Sequence, residues 1–83
     1  MIYIKEGVND EGVKFHQVEE TVIYYLESET DLEKVIKKLN KQVMAECGRE
    51  WLDIENEKRR ISSYPEEYVV DIHEMYGFVD GDS

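Results

Sequence analysis

The stretch from Thr30 to Gly48 constrains the fold of this chain most. Thr30-Asp31-Leu32-Glu33 has the form of a capping box, a hydroxyl at the N-cap followed three residues later by a carboxylate that can reach back to the cap. Leu32, Val35, Ile36, Leu39 and Val43 recur at helical spacing and make one apolar stripe. Gly48 stands where a left-handed C-cap glycine belongs, and Lys37, Lys38 and Lys41 fall in the later turns, where cations suit the helix dipole. The pattern predicts an amphipathic helix over 31–47, which needs an apolar surface to cover.

The segments before it supply that surface. Ile2-Tyr3-Ile4-Lys5 and Val13 to Val18 alternate apolar and polar positions, and Val8-Asn9-Asp10-Glu11-Gly12 between them has turn chemistry. They predict a hairpin with a loop longer than two residues. Thr21 to Leu26 is rich in β-branched and aromatic residues and predicts a third strand, either separate or continuous with the second through a bulge at Glu19-Glu20.

After Gly48 two patterns compete. Trp51 to Glu57 alternates as a strand, with Leu52 and Ile54 inward, a turn at Asn56-Glu57-Lys58 and a return strand over 59–62. Cys47, Trp51, Ile54, Lys58 and Ile61 are also spaced for one helix running from Asp31 to Ile61. The strand is preferred. Pro65-Glu66-Glu67 is read as a turn leading into a strand with Tyr68, Val70 and Ile72 on one side. A helix over 64–76 ending at Gly77 is the alternative. The expected fold is α+β, in the order β-β-β-α-β-β-β: a small antiparallel sheet packed by one central helix. Residues 1–79 form one domain and 80–83 a frayed tail. Leu32, Ile36, Leu39 and Val43 are expected to meet Ile4, Phe15, Ile23, Trp51 or Leu52, Ile54 and Ile72.

Composition narrows the function. Twenty acidic against ten basic side chains give a net charge of −10. That opposes direct contact with nucleic acid or an anionic membrane and suits a protein partner with a basic surface. The imbalance is larger in residues 42–83, with eleven acidic and four basic groups, than in 1–41, with nine and six. A chain of 83 residues buries only about 60–65% of the surface exposed on unfolding, which leaves little room for a deep cleft and makes a homodimer plausible. The single cysteine excludes an intramolecular disulfide. The opening residues carry no signal-peptide pattern and no apolar run is long enough to span a membrane, so a cytoplasmic location is expected.

Candidate chemistry is sparse. Cys47 with His16 or His73 is the available thiol–imidazole pair, but the helix C-terminus is the wrong dipole end to ionise a thiol. Asp71, His73 and Glu74 have no metal-motif spacing, and the five glycines make no phosphate loop. No cofactor is expected. Lys34, Lys37, Lys38 and Lys41, and the set Lys58-Arg59-Arg60, read as solvated charge. Of the paired tyrosines Tyr24 and Tyr25, a strand would expose one. The sharpest candidate is acidic: as alternate residues of a strand, Asp53, Glu55 and Glu57 would stand about 6.6 Å apart on one face, like a phosphate track. Glu66, Glu67 and Asp71 would widen it, with Glu50 and Glu74 as further members.

A lysine-rich helix (Leu32–Val43), a Trp-containing strand (Trp51–Ile54), a charged turn (Glu57–Arg60) and a Val-Val-x-Ile strand (Val69–Ile72) resemble the plan of small acidic accessory proteins from phages and prophages of low-GC Gram-positive bacteria. The resemblance implies an accessory or regulatory role and carries no site residues. The expected function is non-enzymatic binding through protein–protein contact. The alternatives are an acidic nucleic-acid mimic that inhibits a DNA- or RNA-binding protein and, more distantly, a thiol-dependent enzyme or a structural oligomer subunit.

Overall fold

The structure, a computed structural model, describes residues 4–76. Residues Ile2 and Tyr3 of the expected first strand, Gly77 as a helix end and the frayed tail at 80–83 lie outside the described residues. The element order is β1 (Ile4–Val8), β2 (Lys14–Val18), β3 (Thr21–Leu26), α1 (Glu29–Cys47), α2 (Ile54–Arg60), β4 (Glu66–Asp71) and α3 (Ile72–Met75). The strands form one antiparallel sheet in the order β1-β2-β3-β4, so both longer helices are inserted between two neighbouring strands.

The turns follow from local chemistry. Asn9 Oδ1 accepts from the amides of Glu11 and Val13 at 3.0 and 2.9 Å, and Gly12 takes φ 85°, which closes the β1–β2 loop. β2 and β3 are separate strands joined at Glu19-Glu20. Val18 pairs with Thr21, and Glu19 carries φ 55° at a position glycine would occupy without strain.

Helix α1 starts two residues earlier than expected. Ser28, not Thr30, is the N-cap: its Oγ accepts from the Asp31 amide at 3.4 Å, while Asp31 Oδ2 accepts from the Glu27 amide at 2.9 Å. The two overlapping patterns, Ser28-x-x-Asp31 and Thr30-x-x-Glu33, compete, and the earlier one lengthens the helix by two residues, about half a turn. Gly48 ends it at φ 71°, donating to the Met44 carbonyl at 3.0 Å. The five apolar stripe residues are all buried. The lysines stop short of the last turn, which holds no basic residue.

Beyond Gly48 neither reading of the sequence holds. Residues 49–53 form a connecting segment outside any helix or strand, and a second helix then runs from Ile54 to Arg60, replacing both the strand pair and the continuous helix. Asp53 caps it, accepting from the Glu55 amide at 3.0 Å. Glu55 and Glu57 lie in its first turn and Lys58, Arg59 and Arg60 in its last, an order that suits the helix dipole. Two turns are marginal alone, so α2 depends on tertiary contacts. Lys58 Nζ supplies two of them, reaching Glu33 at 2.5 Å and Glu29 at 3.5 Å on α1.

Glu66 and Glu67 belong to β4 rather than to a turn, and the strand ends at Asp71, so Ile72 opens α3 instead of closing the strand. The observed order is therefore β-β-β-α-α-β-α. The α+β class and the packing of the central helix on the sheet stand as expected. Val22, Leu26, Tyr68 and Val70 of the sheet meet Leu32, Val35, Ile36, Leu39 and Val43 of α1, with Val13 and Met75 at the margins. Phe15, Trp51, Leu52, Ile54 and Ile72 pack around this centre.

Candidate functional site

Strand alternation gives the sheet two faces. Gly7, Phe15, Tyr24 and Tyr68 pair in one row on the covered side, with the Phe15 and Tyr24 ring centroids 6.4 Å apart. A side chain at Gly7 would stand against the Phe15 ring, at 3.5 Å.

The opposite face has no described element packed over it. Its three cross-strand rows are Ile4–Val18–Thr21–Asp71, Glu6–His16–Ile23–Val69 and Val8–Lys14–Tyr25–Glu67. Ile4 and Ile23 were expected in the core, yet both stand here. Both faces of β3 are apolar, Val22, Tyr24 and Leu26 on one and Ile23 and Tyr25 on the other, so alternation alone could not choose between them. Ile4 and Val8 are 59% exposed and Val69 61%. Val18, Ile23 and Tyr25 lie half-buried between them, and Tyr25 is the outward member of the tyrosine pair. His16 sits mid-face with its Nε2 buried and without a hydrogen-bond partner. The edge strands contribute Glu6, Glu67 and Asp71 to this face, against one lysine, Lys14.

The acidic row foreseen at 53–57 does not exist as a row. Successive alternate residues of a helix turn by about 200°, so Asp53, Glu55 and Glu57 cannot share a face once the segment is helical. Asp53 is spent on the α2 cap. Glu55 stands 3.9 Å from Lys58. Glu57 points inward: its Oε1 accepts from the Tyr68 hydroxyl at 2.8 Å and from Arg60 Nη2 at 2.6 Å, under a guanidinium that stacks over the Tyr68 ring at 5.9 Å. Burial, then the hydrogen bond to Glu57, holds the Tyr68 hydroxyl well above the ordinary tyrosine range. Of the remaining candidates, Glu67 and Asp71 stand on the open face, where Asp71 also caps α3 by accepting from the His73 amide at 2.9 Å. Glu66 lies at the strand end on the Tyr68–Val70 side.

Two of the basic residues are structural. Lys38 holds the β1–β2 loop, 3.1 Å from Asp10 and 3.7 Å from Glu11, and its hydrogen bond to Asp10 raises its pKa. Lys58 joins α2 to α1; its hydrogen bond raises its own pKa and lowers that of Glu33. The thiol–imidazole pairing with His16 does not form. α1 and the outer face of β2 lie on opposite sides of the sheet, and Cys47 Sγ donates to the Tyr76 carbonyl at 3.5 Å. Among the described residues no three His, Cys, Asp or Glu side chains are grouped to hold a metal.

Two open grooves flank α1. One, of about 830 Å³, lies between the helix and the connecting segment after Gly48, with Met44 and Trp51 on its walls. Asn40 fixes that segment through a reciprocal pair: its Oδ1 accepts from the Leu52 amide and its Nδ2 donates to the Leu52 carbonyl, both at 2.8 Å. The other, of about 530 Å³, is floored by Phe15, Gln17 and Tyr24 where α1 leaves β1 and β2 uncovered. Burial raises the Tyr24 pKa.

Comparisons with protein-family models, curated protein sequences and solved structures return no match to this chain. Among the described residues no helix is long and apolar enough to cross a membrane.

Proposed function

We propose that the protein is a non-enzymatic binding protein, accessory or regulatory in role, that acts through protein–protein contact at the open face of its sheet. The observation that supports this reading is the exposure of Ile4, Val8 and Val69 on one face, around the half-buried Val18, Ile23 and Tyr25. An apolar patch drawn from all four strands and bordered by charge is the composition of a contact surface. The acidic residues Glu67 and Asp71 enter this reading as part of its border, whereas Asp53, Glu55 and Glu57 do not.

The test is affinity capture from the host lysate with the wild-type chain and with Val69→Asp. Val69 is exposed, so the substitution leaves the core intact, and circular dichroism verifies the fold. A protein retained by the wild type and lost with the variant is the expected result. Identical captured sets would overturn the assignment of this face.

A further inference from the structure

We propose that the occupant of the open face is an amphipathic helix of a partner protein whose flanks carry lysine or arginine. The inference rests on the reading of this face as a contact surface and adds its chemistry. The opposite face of the same sheet already takes an amphipathic helix, α1, along the stripe from Leu32 to Val43. Four strands about 4.8 Å apart present a surface wide enough for one further helix, which would complete a helix–sheet–helix layering.

Charge selects the flanks of that helix. Glu6 lies on one edge strand, and Glu67 and Asp71 on the other, so the carboxylates border the apolar centre from both sides. Lys14 is the only lysine or arginine at the outward positions of the described strands, which leaves the face with a net charge of −2 when His16 is neutral. A second copy of the chain would set this border against itself, with a net charge of −10 on each molecule. A helix with cationic flanks meets the same border with attraction, and rim charges of this kind set partner choice and salt dependence.

Three labelled synthetic helices provide the probe. They share one leucine face and carry lysine, glutamine or glutamate on their flanks. Binding is read by fluorescence anisotropy at low and high salt, and the site by amide chemical-shift mapping. The lysine peptide should bind at least about tenfold tighter than the glutamine peptide at low salt, the glutamate peptide weakest, with the advantage lost at high salt. Shifts should fall on the outward positions of β1 to β4. Val69→Asp and Glu6→Lys/Glu67→Lys should each weaken the lysine peptide about tenfold, whereas the charge-matched Glu46→Lys/Glu50→Lys, placed away from the face, should not.

Equal binding of the lysine and glutamine peptides, still lost in Val69→Asp, would overturn the cationic flank and leave the contact face standing. Equal weakening by the Glu46/Glu50 control would reduce the effect to general charge attraction and overturn the proposal. Binding that ignores Val69→Asp, or no binding by any peptide, would overturn both the occupant and the face. A dimer in sedimentation that Val69→Asp dissolves would overturn the proposal in favour of a second copy.

Discussion

Replacing Tyr68 by phenylalanine isolates one polar contact inside an apolar setting. The ring stays and keeps its packing among Val22, Val70 and the α1 stripe; only the hydroxyl that donates to Glu57 is removed. A hydrogen bond to a charged acceptor contributes about 1.5–3 kcal/mol. Glu57 retains Arg60 and is 13% exposed, so part of its loss is recovered and the lower end applies, about 1.5–2 kcal/mol. A chain of 83 residues has a total stability of about 4–12 kcal/mol, so this single oxygen supports a large share of it. Urea unfolding followed through the fluorescence of Trp51, the one tryptophan, should show the midpoint falling by about 1–2 M with the slope unchanged. The melting temperature should fall by about 6–16 °C. In a double-mutant cycle with Glu57→Ala, the coupling should be about 1 kcal/mol or more. A loss below about 0.5 kcal/mol for Tyr68→Phe, or strict additivity in the cycle, would refute the idea that this contact joins α2 to the sheet.

Three further outcomes follow from the same structure. Tyr68 and Tyr24 have folded pKa values raised above the unfolded value, so the stability they contribute is full below about pH 10 and is lost as pH rises toward the folded values. The raised Lys38 and Lys58 act in the same direction, and urea midpoints from pH 8 upward should decline more gently in Tyr68→Phe than in the wild type. Asn40→Ala leaves both backbone groups of Leu52 without their partner, and should cost about 2 kcal/mol and redden the Trp51 emission; an unchanged spectrum would show that the 49–53 segment is held by something else. Glu19→Gly relieves the left-handed backbone at the β2–β3 turn, and thermal melts should show a gain of about 0.5–1 kcal/mol; a loss would mean that the Glu19 side chain stabilises the hairpin.

What the sequence disclosed was what its local chemistry decides. Helix α1 was legible because its stripe, its C-cap glycine and a cap motif sit within one stretch, and the start was misplaced only because two cap motifs overlap. β4 was legible from the inward Tyr68 and Val70. The 51–61 region was misread because Leu52 and Ile54 alternate over too few residues to separate a strand from the start of a helix. The better signal was electrostatic: Asp53 at a cap position, Glu55 and Glu57 behind it, and three cations closing the segment. The candidate site inherited that error, since its phosphate-like row depended on strand geometry. The open face was missed for a different reason. Which side of β3 faces the helix is a tertiary decision between two apolar rows, and Asn40, whose role depends on a partner twelve residues away, gave only the faint sign of an amide beside an apolar stripe.

The insertion of α1 and α2 between two adjacent strands also sets the order of events in folding. β1, β2 and β3 are joined by short turns, so their pairings close small loops. Leu26 must find Glu66 across 40 residues, at an entropic cost of about 3 kcal/mol from loop length alone. The β3–β4 ladder is therefore expected to form last, and pulse-labelled amide exchange should protect the β2–β3 hairpin before Val70; the reverse order would contradict this. Until β4 docks, β3 is a nascent edge whose backbone amides and carbonyls on that side have no strand partner. The interval before that late closure is when the chain is most open to pairing with a neighbour instead of with itself.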